Sequence, residues 1–262
     1  MSLEDRWKRY RWRLIRGEPV DPPVNVAIDE VLTRRVGSGE RPPTLRFWGR
    51  HKDEVVIGRF QSVSNEVNEE EARREGVEII RRTTGGGAMF VEPGNIITFS
   101  IYAPLELVAG MSTVDSYAFL DEWVVEAFRS LGIEAYYEPI NDISSKNGKI
   151  GGAAQGRAHG AVLHHDTLSY EIDTARMLRI LRIGQEKLSD KAIQSAEKRV
   201  GPLRRQTSLP REQIIEHMIE TFAGRNTADG LTEDTLTPEE LAEAERLTRE
   251  LYGTRDWIYS IP

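Results

Sequence analysis

The stretch Arg81-Arg82-Thr83-Thr84-Gly85-Gly86-Gly87-Ala88-Met89-Phe90 decides how the remaining chain is read. It sets two arginines, two hydroxyl side chains and three glycines side by side. Glycines after a strand let the backbone come close to a bound group, because no Cβ stands in the way and positive φ is permitted. Arginine supplies a planar fork of donors for phosphate or carboxylate. A bare glycine triplet reads equally well as a tight hairpin with solvated arginines at its mouth, so the flanks decide.

Both flanks read as strands. Val77-Glu78-Ile79-Ile80 leads into the arginines, and after Gly94-Asn95 comes the β-prone run Ile96-Ile97-Thr98-Phe99-Ser100-Ile101-Tyr102. A phosphate loop of the P-loop or dinucleotide kind needs a helix directly after its glycines, and neither setting nor spacing matches here.

Towards the amino terminus, Trp12 and Leu14 alternate with Arg11, Arg13 and Arg16, which predicts a strand near residues 10–16 after an apolar opening segment. Val24, Ala27, Ile28, Val31 and Leu32 recur at helical spacing and predict a helix ending near Gly37. Residues 44–48 and 54–58 read as two strands joined by a charged turn. Residues 65–75 are acidic first and basic last, as the helix dipole favours, and Gly76 stops them. Towards the carboxyl terminus, Tyr117, Leu120, Val124, Ala127, Phe128 and Leu131 predict a helix over 114–131. A short strand follows at 134–138. Asn147-Gly148 is a hairpin signal, so a returning strand begins at Lys149, and another runs over 161–172 after the His159-Gly160 turn. From Thr174 onward helices dominate, over 177–183, 211–222 and 238–252, the last opened by Pro238. The pattern predicts an α+β fold with mixed or antiparallel β-sheets flanked by helices, residues 1–262 forming one domain that is helical toward its carboxyl end.

Composition narrows the function. Hydrophobic residues at 39% and charged residues at 29% of 262 fit a folded globular chain. A net charge of −7 gains nothing from the counterion release that drives nucleic-acid binding, so no nucleic-acid partner is expected. Cysteine is absent, which excludes disulfides, thiolate metal sites and a cysteine nucleophile. No signal-like stretch follows Met1 and no apolar run of about eighteen residues occurs, which points to a cytoplasmic protein without a membrane partner. Of five histidines only His164-His165 adjoin, and neighbours on a strand point to opposite faces, so no metal ligand set is expected.

Three features fall at strand ends or hairpins: Arg81-Arg82 with Gly85-Gly86-Gly87, Asn141-Asp142, and Lys149 followed by Gly151-Gly152. A lysine beside glycine-lined backbone suits an anionic centre whose charge grows during reaction, such as a phosphorus attacked by a carboxylate. Acyl adenylation fits this pattern. A lysine after an Asn-Gly turn is also commonly a plain solvated lysine.

The chain resembles the lipoate-protein ligase A family, within the class II biotin/lipoate ligase-like fold. The resemblance runs through Asn25-x-Ala27-Ile28-Asp29-Glu30, Phe47-Trp48, Val56-Ile57-Gly58-Arg59-Phe60-Gln61 and Arg81-Arg82-x-x-Gly85-Gly86-Gly87-Ala88. It continues through Gly94-Asn95, Asn141-Asp142, Lys149-Ile150-x-Gly152-x-Ala154-Gln155 and His164-His165-x-Thr167-Leu168. The resemblance implies an enzyme that activates lipoate with ATP to lipoyl-AMP and transfers the acyl group to a lysine of a lipoyl-acceptor domain, of the 2-oxoacid dehydrogenase or glycine-cleavage type. By matching positions, Lys149 would be the catalytic residue, contacting the lipoate carboxylate and the α-phosphate. Arg81, Arg82, Gly85, Gly86, Gly87, Ala88, Met89 and Phe90 would hold the nucleotide, with Asn141, Asp142, Gly152 and His164 completing the site. Mg²⁺ is implied on the phosphates, held by substrate oxygens and water. Phe47, Trp48 and Val56 read either as lining for the aliphatic chain or as ordinary core.

Two departures stand out. Many relatives carry a His-Asp pair just after the aromatic that ends the glycine segment, where this chain has Val91-Glu92-Pro93. Larger ligases continue into a small accessory domain, which this chain does not show after Trp257; a separate accessory-domain protein is one way to supply it. Two rival functions follow. One is a lipoyl or octanoyl transferase that uses a preformed activated acyl group, since a thioester-forming transferase needs the cysteine this chain lacks. The other is a non-catalytic protein that binds or senses lipoate or lipoyl-AMP, which would not need Lys149.

Overall fold

A computed structural model of the chain describes residues 3–182 and 199–262. Period-two alternation builds its larger sheet. Along β6 (Ile96–Pro104), Ile97, Phe99 and Ile101 enter one core while Tyr102 enters another. This strand pairs antiparallel with β10 (Ala161–Ser169), which pairs antiparallel with β9 (Gly148–Ala158). Beyond β9 lie β8 (Asp142–Ser145) and β7 (Ala135–Glu138). On the other flank, β2 (Thr44–Trp48) pairs antiparallel with β6, and β1 (Arg13–Arg16) is parallel both to β2 and to β11 (Thr232–Asp234). The sheet is mixed and eight-stranded, in the order β11-β1-β2-β6-β10-β9-β8-β7.

Two helical layers cover it. One contains α1 (Leu3–Lys8), α5 (Thr113–Ser130) and α7 (Arg211–Asn226). It is filled by aromatic rings, with Trp123 centred 4.9 Å from Phe99 and 5.1 Å from Phe222. The other contains α2 (Pro22–Ser38) and α8 (Pro238–Leu247), which press Ile28, Leu32 and Ala244 into the core shared with Tyr102 and Leu163. A capping box between Thr237 and Glu240 starts α8.

A second, smaller sheet has the order β4-β3-β5, from β3 (Glu54–Ile57), β4 (Glu78–Arg81) and β5 (Met89–Val91). Its core joins Val55, Ile57 and Phe90 to Val63, Ala72 and Ile180, carried by α3 (Val63–Glu66), α4 (Glu69–Arg74) and α6 (Thr174–Ile180). The strands expected at 44–48 and 54–58 therefore belong to different sheets, and the charged turn between them is a crossover. The helix expected over 65–75 is interrupted because Val67 bridges to Leu181, after which Asn68 caps α4. The helix expected over 177–183 starts at Thr174, capped by Asp173, and its last expected residue, Ile183, lies outside the described residues. Strand β11 is three residues of Thr-Glu-Asp with no apolar alternation to announce it.

Candidate active site

Strand β4 delivers the glycine loop to the rim of a cleft of about 840 Å³ between the two sheets. The loop lies against residues 57–59: the Arg82 N–H donates to the Ile57 carbonyl at 3.1 Å, and the Arg59 N–H to the Thr84 carbonyl at 2.8 Å. That approach requires glycine at 58, where an added Cβ would stand 2.1 Å from the Gly86 carbonyl oxygen. Gly87 differs, since an added Cβ there meets nothing within 4 Å. Internal packing does not explain that glycine. It lines the cleft, where a bare backbone lets a ligand approach.

The two arginines part company. Arg82 is buried and donates to the carbonyls of Val56, Gly85 and Gly87. Burial pushes it down to about 10, which leaves it cationic at neutral pH. In a trans peptide the C=O and the following N–H point opposite ways. Turning the Gly85 and Gly87 carbonyls to Arg82 therefore aims the N–H groups of Gly86 and Ala88 away from it. Arg81 lies outside the cleft lining. Its guanidinium donates to the carbonyls of Gly58, Arg59 and Gln61 and to those of Trp257 and Ile258 in α9 (Arg255–Ile258). The Trp257 indole N–H donates back to the Arg81 carbonyl at 2.9 Å. Arg81 thus fastens the carboxyl-terminal helix beneath the loop.

Lys149 stands at the start of β9 and reaches the cleft, with Nζ 2.7 Å from Asp142 Oδ1 and its side chain 48% exposed. Register places Asp142 opposite Gly152, where an added Cβ would stand 3.2 Å from Asp142 Oδ1 and 3.3 Å from Lys149 Nζ. Glycine there leaves room for the pair. Asn141 lines the same wall and is pinned by its side-chain amide, which donates to the Ala153 carbonyl at 2.6 Å. Across the cleft, Ala88, Met89 and Phe90 join Trp48, Val56 and Ile80 in an apolar wall, whereas Phe47 turns into the opposite core.

A third group closes the arrangement. His165 Nδ1 lies 3.0 Å from Asp29 Oδ2 and its Nε2 2.7 Å from Thr84 Oγ1, so one imidazole ties α2 and β10 to the glycine loop. Asp29 also accepts from the Tyr102 hydroxyl at 2.5 Å. Burial would raise the Asp29 carboxyl, but the hydrogen bond and charge of His165, with Arg46 and Tyr102 adding to them, bring it below the ordinary range.

A family model described as the lipoyl protein ligase A/B catalytic domain matches residues 21–223. The chain belongs to this family. An octanoyltransferase LipM of Brevibacillus brevis is 28% identical over 275 residues, covering 94% of this chain and 98% of its own length. A structure describing a bi-partite lipoate protein ligase and its E2 lipoyl domain from Thermoplasma acidophilum matches with a TM-score of 0.86 at 28% identity, covering 97% of this chain and 98% of that one. A lipoate-protein ligase A bound with ATP matches with a TM-score of 0.83 at 26% identity, covering 96% and 100%. The fold is thus the biotin/lipoate ligase type expected, and the chain is an enzyme of the lipoate ligase and octanoyltransferase family.

In this family member, the cleft gathers Arg82, Gly87, Ala88, Met89, Phe90, Asn141, Lys149 and Gly152 of the candidate residues. Asp142 adjoins through Lys149. Gly85 and Gly86 are not part of the cleft lining. His164 is fully buried on the other face of β10, its Nε2 2.5 Å from Asp121 Oδ1 of α5. Its neighbour His165 is the histidine in the cleft. The doublet announced that only one of the two could face the site, but periodicity alone could not say which. Asp29 was visible in the first-helix motif without a role. Glu92, of the Val91-Glu92-Pro93 departure, lines the cleft and pairs with Arg176 of α6 at 2.8 Å, and Arg176 also holds Asp53 at 2.6 Å and Glu75 at 2.7 Å. Among the described residues no helix is long and apolar enough to cross a membrane.

Proposed function

We propose that the chain is an ATP-dependent lipoate-protein ligase whose residues 1–262 act as one catalytic unit. The observation that carries the reading is Lys149, which faces the glycine-loop cleft in a chain without cysteine. In the first step the lipoate carboxylate attacks the α-phosphorus of ATP and pyrophosphate leaves. Lys149, released from Asp142, draws the two anions together and stabilises the charge that grows on phosphorus. The Ala88 N–H group, turned away from Arg82, offers a donor to the nucleotide. In the second step the amine of an acceptor-domain lysine attacks the acyl carbonyl and AMP leaves.

Mg²⁺ fits this site as a companion of the phosphates. Of the three carboxylates in the cleft lining, Asp29 is engaged by His165 and Glu92 by Arg176, while Glu171 is exposed, so the ion would be held chiefly by phosphate oxygens and water. The likeness to octanoyltransferases supports a second reading, a transferase of preformed acyl-adenylate, because a route through an enzyme thioester needs a cysteine. The two are separated by incubating the purified chain with lipoate, Mg-ATP and a lipoyl domain while following pyrophosphate release and acceptor mass. A ligase modifies the acceptor from ATP. Modification from synthetic lipoyl-AMP alone identifies the transferase, and modification from neither overturns both.

A further inference from the structure

The face of β10 turned from the cleft carries a cluster that acyl transfer does not use. His164, Asp166 two residues along the strand, and Asp121 of α5 are 0–1% exposed, and one ligand-capable atom of each lies within 4.8 Å of the others. His164 Nε2 is 2.5 Å from Asp121 Oδ1 and 3.6 Å from Asp166 Oδ2, making it the ion-pair partner of both carboxylates. The Tyr117 ring lies 5.7 Å from the imidazole.

Polar satisfaction fails here. Asp121 Oδ2 and both oxygens of Asp166 have no hydrogen-bond partner, although each belongs to a buried side chain. An uncompensated carboxylate in an apolar interior is costly enough that it is either neutralised or coordinated. One imidazolium balances one carboxylate. The second needs another positive charge, supplied by an added proton or by a dication beside a neutral imidazole. A proton satisfies at most the oxygen that carries it and one acceptor. A cation amid the three side chains would meet the imidazole nitrogen and the open oxygens together.

We propose that Asp121, His164 and Asp166 form a structural site for a transition-metal dication, Zn²⁺ or Mn²⁺, that fastens α5 to the sheet. An imidazole nitrogen with two carboxylates, which can bind through both oxygens to complete the coordination, suits these ions, whereas Mg²⁺ favours oxygen ligands alone. The exchange balances in charge. The dication enters, and two protons leave, one from imidazole Nε2 and one from a carboxyl group, so both forms of the cluster are neutral. This site is independent of the acyl substrate and of the ligase reading.

The test uses the full chain. Metal content is measured by mass spectrometry of protein purified from medium supplemented with Zn²⁺ and Mn²⁺. The chain is also refolded from denaturant with either ion or with chelator, and thermal stability is recorded. The expected result is one equivalent of Zn²⁺ or Mn²⁺ per chain and a higher Tm for metal-refolded protein. Substituting Co²⁺ should give visible d–d absorption, which Asp166→Asn abolishes and the surface change His159→Ala leaves intact. Should the Asn variant fail to fold, the wild-type stoichiometry still decides. Less than about 0.1 equivalent of either ion, with no change in Tm on refolding with them, overturns the proposal and leaves a cluster neutralised by protons. Retention of the ion by a folded Asp166→Asn variant overturns it equally.

Discussion

His164 and His165 are neighbours in sequence, and they sit in two different environments. The side chain of His164 is sealed beneath α5 between two carboxylates, whereas His165 joins Asp29 and Thr84 at the edge of the cleft. The pleat of β10 makes the division. Phe99 and Leu168 belong to the large aromatic core under α5, while on the opposite face Thr167 and Thr98 line the cleft. The same sheet therefore carries a closed face, whose polar groups are sealed in the core, and an open face, whose polar groups line the cleft. Substitutions on the two faces should separate folding from turnover.

The largest effect belongs to the closed face. His164→Ala leaves two buried carboxylates without their partner and should cost about 3–5 kcal/mol of folding stability, read from urea denaturation. Activity per folded molecule should stay within about twofold of wild type, since the residue is outside the cleft. Loss of turnover in fully folded protein would break the division between the faces. Lys149→Ala is the converse on the open face. Its side chain is 48% exposed, so stability should hold, while acylation of the acceptor domain falls at least ~100-fold by loss of charge stabilisation at phosphorus. Normal acylation by that variant would remove Lys149 from the reaction.

The division was only partly legible in the sequence. Alternation in residues 96–102, the helical spacing of 114–131 and the Asn147-Gly148 turn set out the main sheet and its covering helix, because each is a local signal repeated over several residues. Position relative to distant chain was not legible. Arg81 and Arg82 look equivalent in sequence, yet one is saturated by carbonyls of 257 and 258, far along the chain, and the other organises the loop beside it. Asp121 carried no signal at all, since one aspartate on an amphipathic helix ordinarily faces water. Its meeting with His164 depends on how α5 lies across the sheet.

His165→Leu tests the open face more gently. It leaves the Asp29 carboxylate and the Thr84 hydroxyl without their shared partner, a loss of about 1–3 kcal/mol. Because Thr84 precedes the glycine loop, the change should appear as faster hydrogen exchange over residues 83–88 and as a raised KM for ATP, with exchange in α5 unaltered. Equal loosening of α5 would mean that β10 transmits between its faces and does not divide them.

The smallest effect is the sharpest test of what the glycines are for. Gly58 is required by the fold, because a Cβ there would stand 2.1 Å from the Gly86 carbonyl oxygen. Gly87 faces open cleft with nothing within 4 Å of an added Cβ. Gly87→Ala should therefore leave folding stability within about 0.5 kcal/mol of wild type. If the nucleotide lies against this backbone, the added methyl group stands where the ligand must come, and the KM for ATP should rise about tenfold, equivalent to about 1.4 kcal/mol. If the acyl chain lies instead against the apolar wall of Trp48, Val56 and Ile80, its affinity should not move. An unchanged KM for ATP would show that the glycine loop shapes the rim without touching the nucleotide, and would shift the anion site wholly to Lys149.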